Sequence, residues 1–545
     1  MRKQKTKRTM MGISLLAVMG ITLLTPGTEM NKVKATSTPS DAGIDADATS
    51  ISSDMEIVTA PAASPVAIDS TNFPDNAFRE WVKLNCDKNS DGQLSADEIS
   101  QCTIINVAGK GIANLQGIEY FSNLRELNCC KNNLSSLDVS SNTALEKLDC
   151  SVNNLSSLDV SNNTALKELH CGTNNLSSLD VTNNTVLEVL YCDNNNMSSL
   201  ELSNNTALKH LSCYDNNLSS LDMSNNTALT FLDCDNNNLS SLDMSNNTAL
   251  KDLNCDCNNL SSLDVTNNTA LTKLSCYSNN LRSLDVNNNT ALMELTCSDN
   301  DLSNLDVTNN TALMELSCSY NNLSSLDVNN NTALEDLSCN NNNLSSLDVT
   351  NNTALEDLSC FENNISSLDL GKNTNLSYFV GDQIVSVPMY KNKDEYYIDL
   401  SKLPLDLKRV SIDEASGETD GTTYNSTSGR IYLSDTKNVG DTVQYLYETN
   451  APALYNTKMT VTLKISEVKD ITEPTTEEPT TEQPTTEQPT TEQPAVIVPP
   501  TTQEANGKDP SPKTGDTMPL YPVISLLLVS FAGIVTLYIR RRKKI

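Results

Sequence analysis

Aromatic residues make up only 4% of this 545-residue chain, with a single Trp, and the whole sequence holds two His. So aromatic-poor a composition argues against a conventional globular enzyme. Catalytic signatures are missing as well: there is no Gly-x-Ser-x-Gly, no His-Glu-x-x-His and no Cys partnered with His at a recognisable site. Cys is not scarce, but no Cys-x-x-Cys pair stands with His in zinc spacing, which removes a structural zinc. Basic residues are few, 37 Lys and Arg against 69 Asp and Glu, for a formal charge of −32. That charge becomes −42 if processing of the two ends removes twelve basic and two acidic residues. Such a chain repels phosphate backbones, so nucleic acid is excluded as a partner, while cations and basic protein patches suit it.

What the chain does contain begins with two addressing segments. Arg2, Lys3, Lys5, Lys7 and Arg8 precede an apolar run from Met10 to Leu24, and Val33-Lys34-Ala35 follows. A basic head, an apolar middle too short to span and a small-residue exit form a secretory signal peptide over 1–35, the alternative being a membrane anchor. Near the other end stands Ser511-Pro512-Lys513-Thr514-Gly515, then an apolar stretch over 518–539, then Arg540, Arg541, Arg542, Lys543 and Lys544. The stretch is long enough for a ~30 Å hydrocarbon core, and the basic cluster holds its end in the cytoplasm. This order of parts over 511–545 resembles a sortase sorting signal of Gram-positive bacteria, with Ser511 where the family pattern has Leu. The resemblance implies a transient membrane stage, cleavage by sortase after Thr514 and covalent attachment of Thr514 to peptidoglycan. A plain transmembrane anchor is the alternative.

The segment 469–510 repeats Thr-Glu-Gln-Pro-Thr. Regular proline favours extended polyproline II, which makes a wall-spanning spacer reaching at most roughly 120 Å. Residues 36–70 are poor in large apolar side chains and read as a disordered linker.

From Cys129 a Cys recurs every 21 residues as far as Cys360, twelve times in one register. One unit runs Leu145-Glu-Lys-Leu148-Asp-Cys150-Ser-Val-Asn153-Asn-Leu155-Ser-Ser-Leu158-Asp159-Val160. A fixed period in the twenties means stacked supersecondary units. Alternation puts Leu148 and Cys150 on one face of a short strand and Asp149 on the other, so stacking gives a parallel sheet with strands ~4.8 Å apart. Leu145, Leu148, Cys150, Leu155, Leu158 and Val160 then share one core, and Asn153 satisfies backbone groups where the chain turns. The Cys column fits buried free thiols, although neighbouring thiols stand within disulfide range. The spacing Leu-x-x-Leu-x-Cys-x-x-Asn-x-Leu resembles the leucine-rich repeat, and its Cys and length are similar to the cysteine-containing internalin-type repeats of Gram-positive surface proteins. The resemblance covers 105–380.

Ahead of the repeats, Asp87-Lys-Asn89-Ser-Asp91-Gly92-Gln93-Leu-Ser95-Ala-Asp-Glu98 matches the EF-hand loop at every constrained position. Asp87, Asn89, Asp91, Gln93 through its carbonyl, Ser95 and Glu98 would supply the oxygens for one calcium ion. A helix over 73–84, capped by Asn72 and facing inward with Phe78, Trp81 and Val82, precedes it. Residues 71–104 thus form an EF-hand-like N-terminal cap, or a loop of that shape that works without metal. Cys86 and Cys102 flank the loop and stand where they could pair. After the repeats, short β-like runs at 384–390, 396–400, 430–433, 443–447 and 459–465 suggest a small β-sandwich over 381–468, which weakly resembles an immunoglobulin-like module.

Residues alternating with Leu and Cys form the exposed sheet face. Most are small or acidic, as at Asp252, Glu294, Glu315, Asp336 and Asp357. The third to sixth repeats instead present His170, Val189, Tyr191, His210, Tyr214 and Phe231, with Tyr277 further along. The two His sit two strands apart, roughly 10 Å, too far to share a metal. Aromatics among polar neighbours are typical of a contact surface for protein or sugar, and drift at unconstrained positions is the alternative. The column Asp138, Asp159, Asp180 and Asp222 reads as a solvated stripe capping turns. The internalin resemblance implies a non-enzymatic, wall-anchored adhesin recognising a host protein or glycan at the outer surface of a Gram-positive bacterium. Near-identity of the later repeats supports the alternative, a structural coat or spacer without a ligand.

Overall fold

The structure, a computed structural model, describes residues 64–412, 422–433, 437–452, 454 and 457–471. The expected signal peptide over 1–35, most of the expected 36–70 linker, nearly all of the expected 469–510 spacer, and the expected 511–545 sorting signal with Thr514 lie outside the described residues. Among the described residues no helix is long and apolar enough to cross a membrane.

Fourteen three-residue strands, from Ile104–Asn106 to Tyr378–Val380, form one parallel sheet in strict sequence order. Leu148 registers with Leu169 and Asp149 with His170, and the same register carries through the sheet. The core columns are as the pattern requires: Leu145, Cys150, Leu155 and Val160 are fully buried and Leu158 is 8% exposed. Each repeat leans on its neighbours, so truncating one buried Leu to Ala would cost about 2–5 kcal/mol.

Two amide columns close the backbone. Asn153 donates through Nδ2 to the Cys150 carbonyl of its own turn (3.1 Å) and the Cys129 carbonyl of the preceding repeat (3.0 Å), while its Oδ1 accepts from Leu134 N at 3.0 Å. The second column runs from Asn142 to Asn373 and is fully buried. Asn163 Nδ2 donates to the carbonyls of Val139 (3.0 Å) and Asn142 (2.9 Å), tying each convex turn to the one before. The Asp159 column does cap turns: Asp159 Oδ1 accepts from Ser161 N at 2.9 Å, and the Ser161 hydroxyl together with this N–H holds the carboxyl below its ordinary range.

At the N-terminal end, α1 (Asn76–Asn85) and α2 (Ala96–Gln101) flank the 87–98 loop. The helix cap differs from the expectation. Asp75, not Asn72, caps α1 by accepting from Ala77 N and Phe78 N, because Pro74 precedes it and the helix starts later. Asp75 also accepts from Ala113 N (2.9 Å), joining cap to first repeat. Phe73 packs at 5.8 Å from both Phe78 and Tyr120, and a side chain at Gly117 (φ 103°) would collide with it. Val66–Ala67, expected within the linker, pairs antiparallel with Gln93–Leu94, so ordered structure begins before residue 71. Cys86 and Cys102 form a disulfide bracketing the loop.

At the other end, seven described strands between Gln383 and Asp470 form one sheet. The strands expected to form a sandwich pair into one continuous ladder. The long strands Gln383–Asn392 and Lys458–Asp470 lie parallel, with a bulge at Val387/Pro388, and carry the pairing across without interruption. This module covers the last repeat: Tyr445 Oη donates to the Ser366 carbonyl at 2.6 Å, and Leu370 N to the Thr449 carbonyl at 2.7 Å. Gln383 ends the first amide column, donating to the Cys360 carbonyl (2.8 Å) and accepting from Ile365 N (3.2 Å).

Candidate functional site

The outward sheet face is set by the two residues on either side of each strand Leu and by the residue after each ladder Cys. His170 and Tyr191 occupy neighbouring positions in one column and stack at 4.7 Å between ring centroids. His210 and Phe231 do the same in the adjoining column at 6.1 Å. Val189 registers with His210 and so links the two stacks. Tyr214 lies one column further, half-buried, and burial beside Asp193 pushes its hydroxyl up to about 12. Tyr277 lies three strands beyond Tyr214, 41% exposed, and does not join the cluster. Six of the seven expected contact residues are therefore brought together. A shallow depression lined in part by Asn128, Lys147, Asp149, Glu168 and His170 adjoins the first stack.

Salt bridges run along the flank, Arg125–Glu146 (2.5 Å), Lys167–Glu146 (2.8 Å) and Lys209–Glu188 (2.7 Å), and are exposed enough to add little stability. A second feature beside the aromatics was not singled out from sequence. Asp233, on the strand of Phe231, is pushed up to about 6, and Asp235 to about 7, by burial and by neighbouring carboxylates. Burial also raises Asp252 and Asp256. Asp193 leans over Gly172, where a Cβ would fall 2.7 Å from its Oδ1. The residue after the ladder Cys is Asp in three of these repeats, at Asp193, Asp235 and Asp256, and that recurrence was the signal available.

In the 87–98 loop the six expected oxygen donors are present, Gly92 takes φ 79°, and the end carboxylates Asp87 and Glu98 are 5% and 7% exposed. Glu98 accepts from Lys88 N (2.8 Å), Ser95 N (2.9 Å) and Ser95 Oγ (2.8 Å), and the Ser95 bonds above all hold it down to about 2. Asp87 accepts from Asp91 N (3.2 Å) and Gly92 N (3.0 Å). The donor set thus suits a hard cation, while the carboxylates are turned to backbone N–H groups. Among the described residues no three Asp, Glu, His or Cys side chains converge to hold a metal.

All twelve ladder Cys are fully buried free thiols, and burial raises each above its ordinary range, Cys318 and Cys360 to about 12. Cys130 is half-buried and Cys257 exposed. A scan of known protein families and a search of curated proteins both return no match. Among solved structures, the functional domain of InlJ from Listeria monocytogenes, described as including a cysteine ladder, is 30% identical, with a TM-score of 0.53. The alignment covers 75% of this chain and 100% of that one. The chain belongs to the internalin-like leucine-rich-repeat proteins. An internalin, InlF, of the same organism is 26% identical over 59% of this chain and 92% of that one, with a TM-score of 0.49. In this internalin-like chain the aromatic stacks are confined to strands between Glu168 and Asp233, and no other stretch of the solenoid sheet carries stacked rings among its described residues.

Proposed function

We propose that this internalin-like protein is a wall-anchored surface adhesin that recognises a host protein or glycan through His170, Val189, Tyr191, His210, Tyr214 and Phe231. One observation carries the reading: two ring stacks meet on an unpartnered sheet face, where the later repeats present Ser and carboxylates. Half-buried rings with exposed edges supply contact area at low entropy cost. The Ser511–Gly515 motif, apolar stretch and basic tail support export and attachment at Thr514 in a Gram-positive wall. Purified chain lacking the two processed ends should bind within a panel of host surface proteins, mucin and glycans. Tyr191→Ser with Tyr214→Ser should weaken that binding at least about tenfold, each ring contributing on the order of 1 kcal/mol or more. Equal binding by wild type and double variant would remove the patch; binding to nothing on the panel would favour the coat or spacer reading.

We place one calcium ion at Asp87, Asn89, Asp91, Gln93, Ser95 and Glu98, because loop spacing and donor chemistry suit a hard seven-oxygen cation. Its role is to stiffen the EF-hand-like cap. Titration calorimetry should give one calcium per chain and none for Asp87→Ala; heat from that variant equal to wild type would refute the site.

A further inference from the structure

The binding reading of the outward face leaves open the chemistry of the partner, and the surroundings of Phe231 and Tyr214 narrow it. Asp193, Asp233, Asp235, Asp252 and Asp256 lie on or beside three of four successive strands, Val189–Tyr191, Phe231–Asp233 and Asp252–Asn254, with His210–Ser212 between the first two. Among the described residues none of the five forms a salt bridge. The one cation acting on Asp252 and Asp256, Lys273, is itself bridged to Glu294 at 3.1 Å. Asp235 Oδ1 is closed from solvent and accepts no hydrogen bond. Asp256 is satisfied only through Ser275 Oγ and Tyr277 N, both at 2.6 Å. Like charges gathered on a half-buried face destabilise the free chain, and a positive group from outside would relieve them.

One metal ion would have to be reached by carboxylates that sit on different strands. Neighbouring strands are ~4.8 Å apart, so the carboxylates are spread over several such steps, and separated cations suit that spread better. The adjacent rings favour guanidinium over ammonium, because a planar cation both stacks on an aromatic face and pairs with carboxylate. The chain makes such contacts elsewhere, with Arg409 at 4.8 Å over Tyr447 and Arg430 at 4.3 Å over Tyr397. We propose that this hollow receives an arginine-bearing extended segment of a protein partner, its guanidinium groups over Phe231 and Tyr214 and against Asp193, Asp233, Asp235 and Asp256. Alternate side chains of an extended segment fall ~6.6 Å apart on one side, which lets successive arginines reach different strands.

Asp233 and Asp235 face Asp193, Asp215, Asp252, Asp256, Tyr214 and Cys257, with Lys273 nearby. Burial and these neighbours lift the pair to about 6 and about 7, so both are ionised only on the alkaline side of those values. Arginine binding should therefore strengthen as pH rises from about 5 to about 8.

The test is fluorescence anisotropy of the chain lacking its processed ends with a labelled octapeptide of alternating arginine and glycine, beside a serine–glycine control. Asp233→Asn with Asp235→Asn should lose at least about tenfold in affinity, about 1.4 kcal/mol. Asp336→Asn with Asp357→Asn, the same charge change elsewhere on the face, should lose less than about twofold. No arginine-peptide binding by wild type, equal losses in the two doubles, or binding unchanged between pH 5 and pH 8 would each overturn the proposal. The partner found on the host panel separates this inference from the reading beneath it. If Tyr191→Ser with Tyr214→Ser releases that partner and the Asp233/Asp235 double does not, the arginine inference fails alone. If neither releases it, the face itself is misassigned.

Discussion

The residue two places after each ladder Cys takes a left-handed backbone, with φ between 50° and 56° from Lys131 to Glu362. That conformation suits Asn, which stands there at Asn194, Asn236 and Asn341, and opposes β-branched side chains. Val152 and Thr173 occupy it nonetheless, so strain is distributed unevenly along nearly identical repeats. Val152 is 39% exposed and loses little packing on replacement. Val152→Asn should stabilise the solenoid by about 1 kcal/mol in denaturant unfolding; an unchanged or lowered midpoint would show that the turn bears no strain. The period alone indicates a turn at this position, but its handedness follows from how the strand hands the chain to the next turn. The cap residue of α1 is a similar case. Asn72 and Asp75 both have capping chemistry, and Pro74 between them, the burial of Phe73 in the core and the Tyr120 Oη bond to Asn72 (2.9 Å) together decide for Asp75.

Among the elements, the two amide columns do the work that helices do in other solenoids. Asn247 donates to the Met223 carbonyl (3.1 Å) and the Asn226 carbonyl (2.9 Å), both buried. Removing it leaves the two carbonyls with only their backbone donors, Asn226 N (3.1 Å) and Leu229 N (3.0 Å), and unties the convex turn from the one before, so Asn247→Ala should cost about 1–3 kcal/mol. Its exposed neighbour Asn246, bonded to the Ser224 carbonyl at 3.1 Å, should cost within about 0.5 kcal/mol as Asn246→Ala. Thermal unfolding of the two variants distinguishes a column that holds the convex side from a repeated surface motif; equal shifts would mean the latter. Both Asn are present in every Asn-Asn-Thr-Ala unit, yet periodicity cannot say which points inward. One residue of register decides that, and packing of the flanking Leu sets the register.

Across the whole molecule, the ladder thiols report whether the solenoid is closed. Burial raises every one of them, so at pH 8 they are neutral and shielded. In native protein a thiol reagent should label only Cys257 and Cys130, and slowly, since their thiols are themselves pushed up to about 12 and about 11. All twelve ladder thiols should then become reactive across the same guanidinium range in which circular dichroism is lost. Ladder labelling in native buffer would contradict a closed core. The solenoid holds together because each end is covered, by Phe73 and the disulfide-bracketed cap on one side and by Tyr445 and its sheet on the other.

Sequence by itself determined the repeat, its length, the identity of every apolar core column and the stretch where the exposed face departs from the pattern. These follow from a strict 21-residue period, in which one repeat's side-chain directions are copied to all others. Tertiary structure decided what depends on neighbours in space: which rings stack, which carboxylates lose solvent together, and how the C-terminal strands pair into one sheet. Asp193, Asp233 and Asp235 are separated along the chain and ordinary one at a time. Stacking strands ~4.8 Å apart brings their charges onto one half-buried face, and that proximity is what turns them into a candidate site.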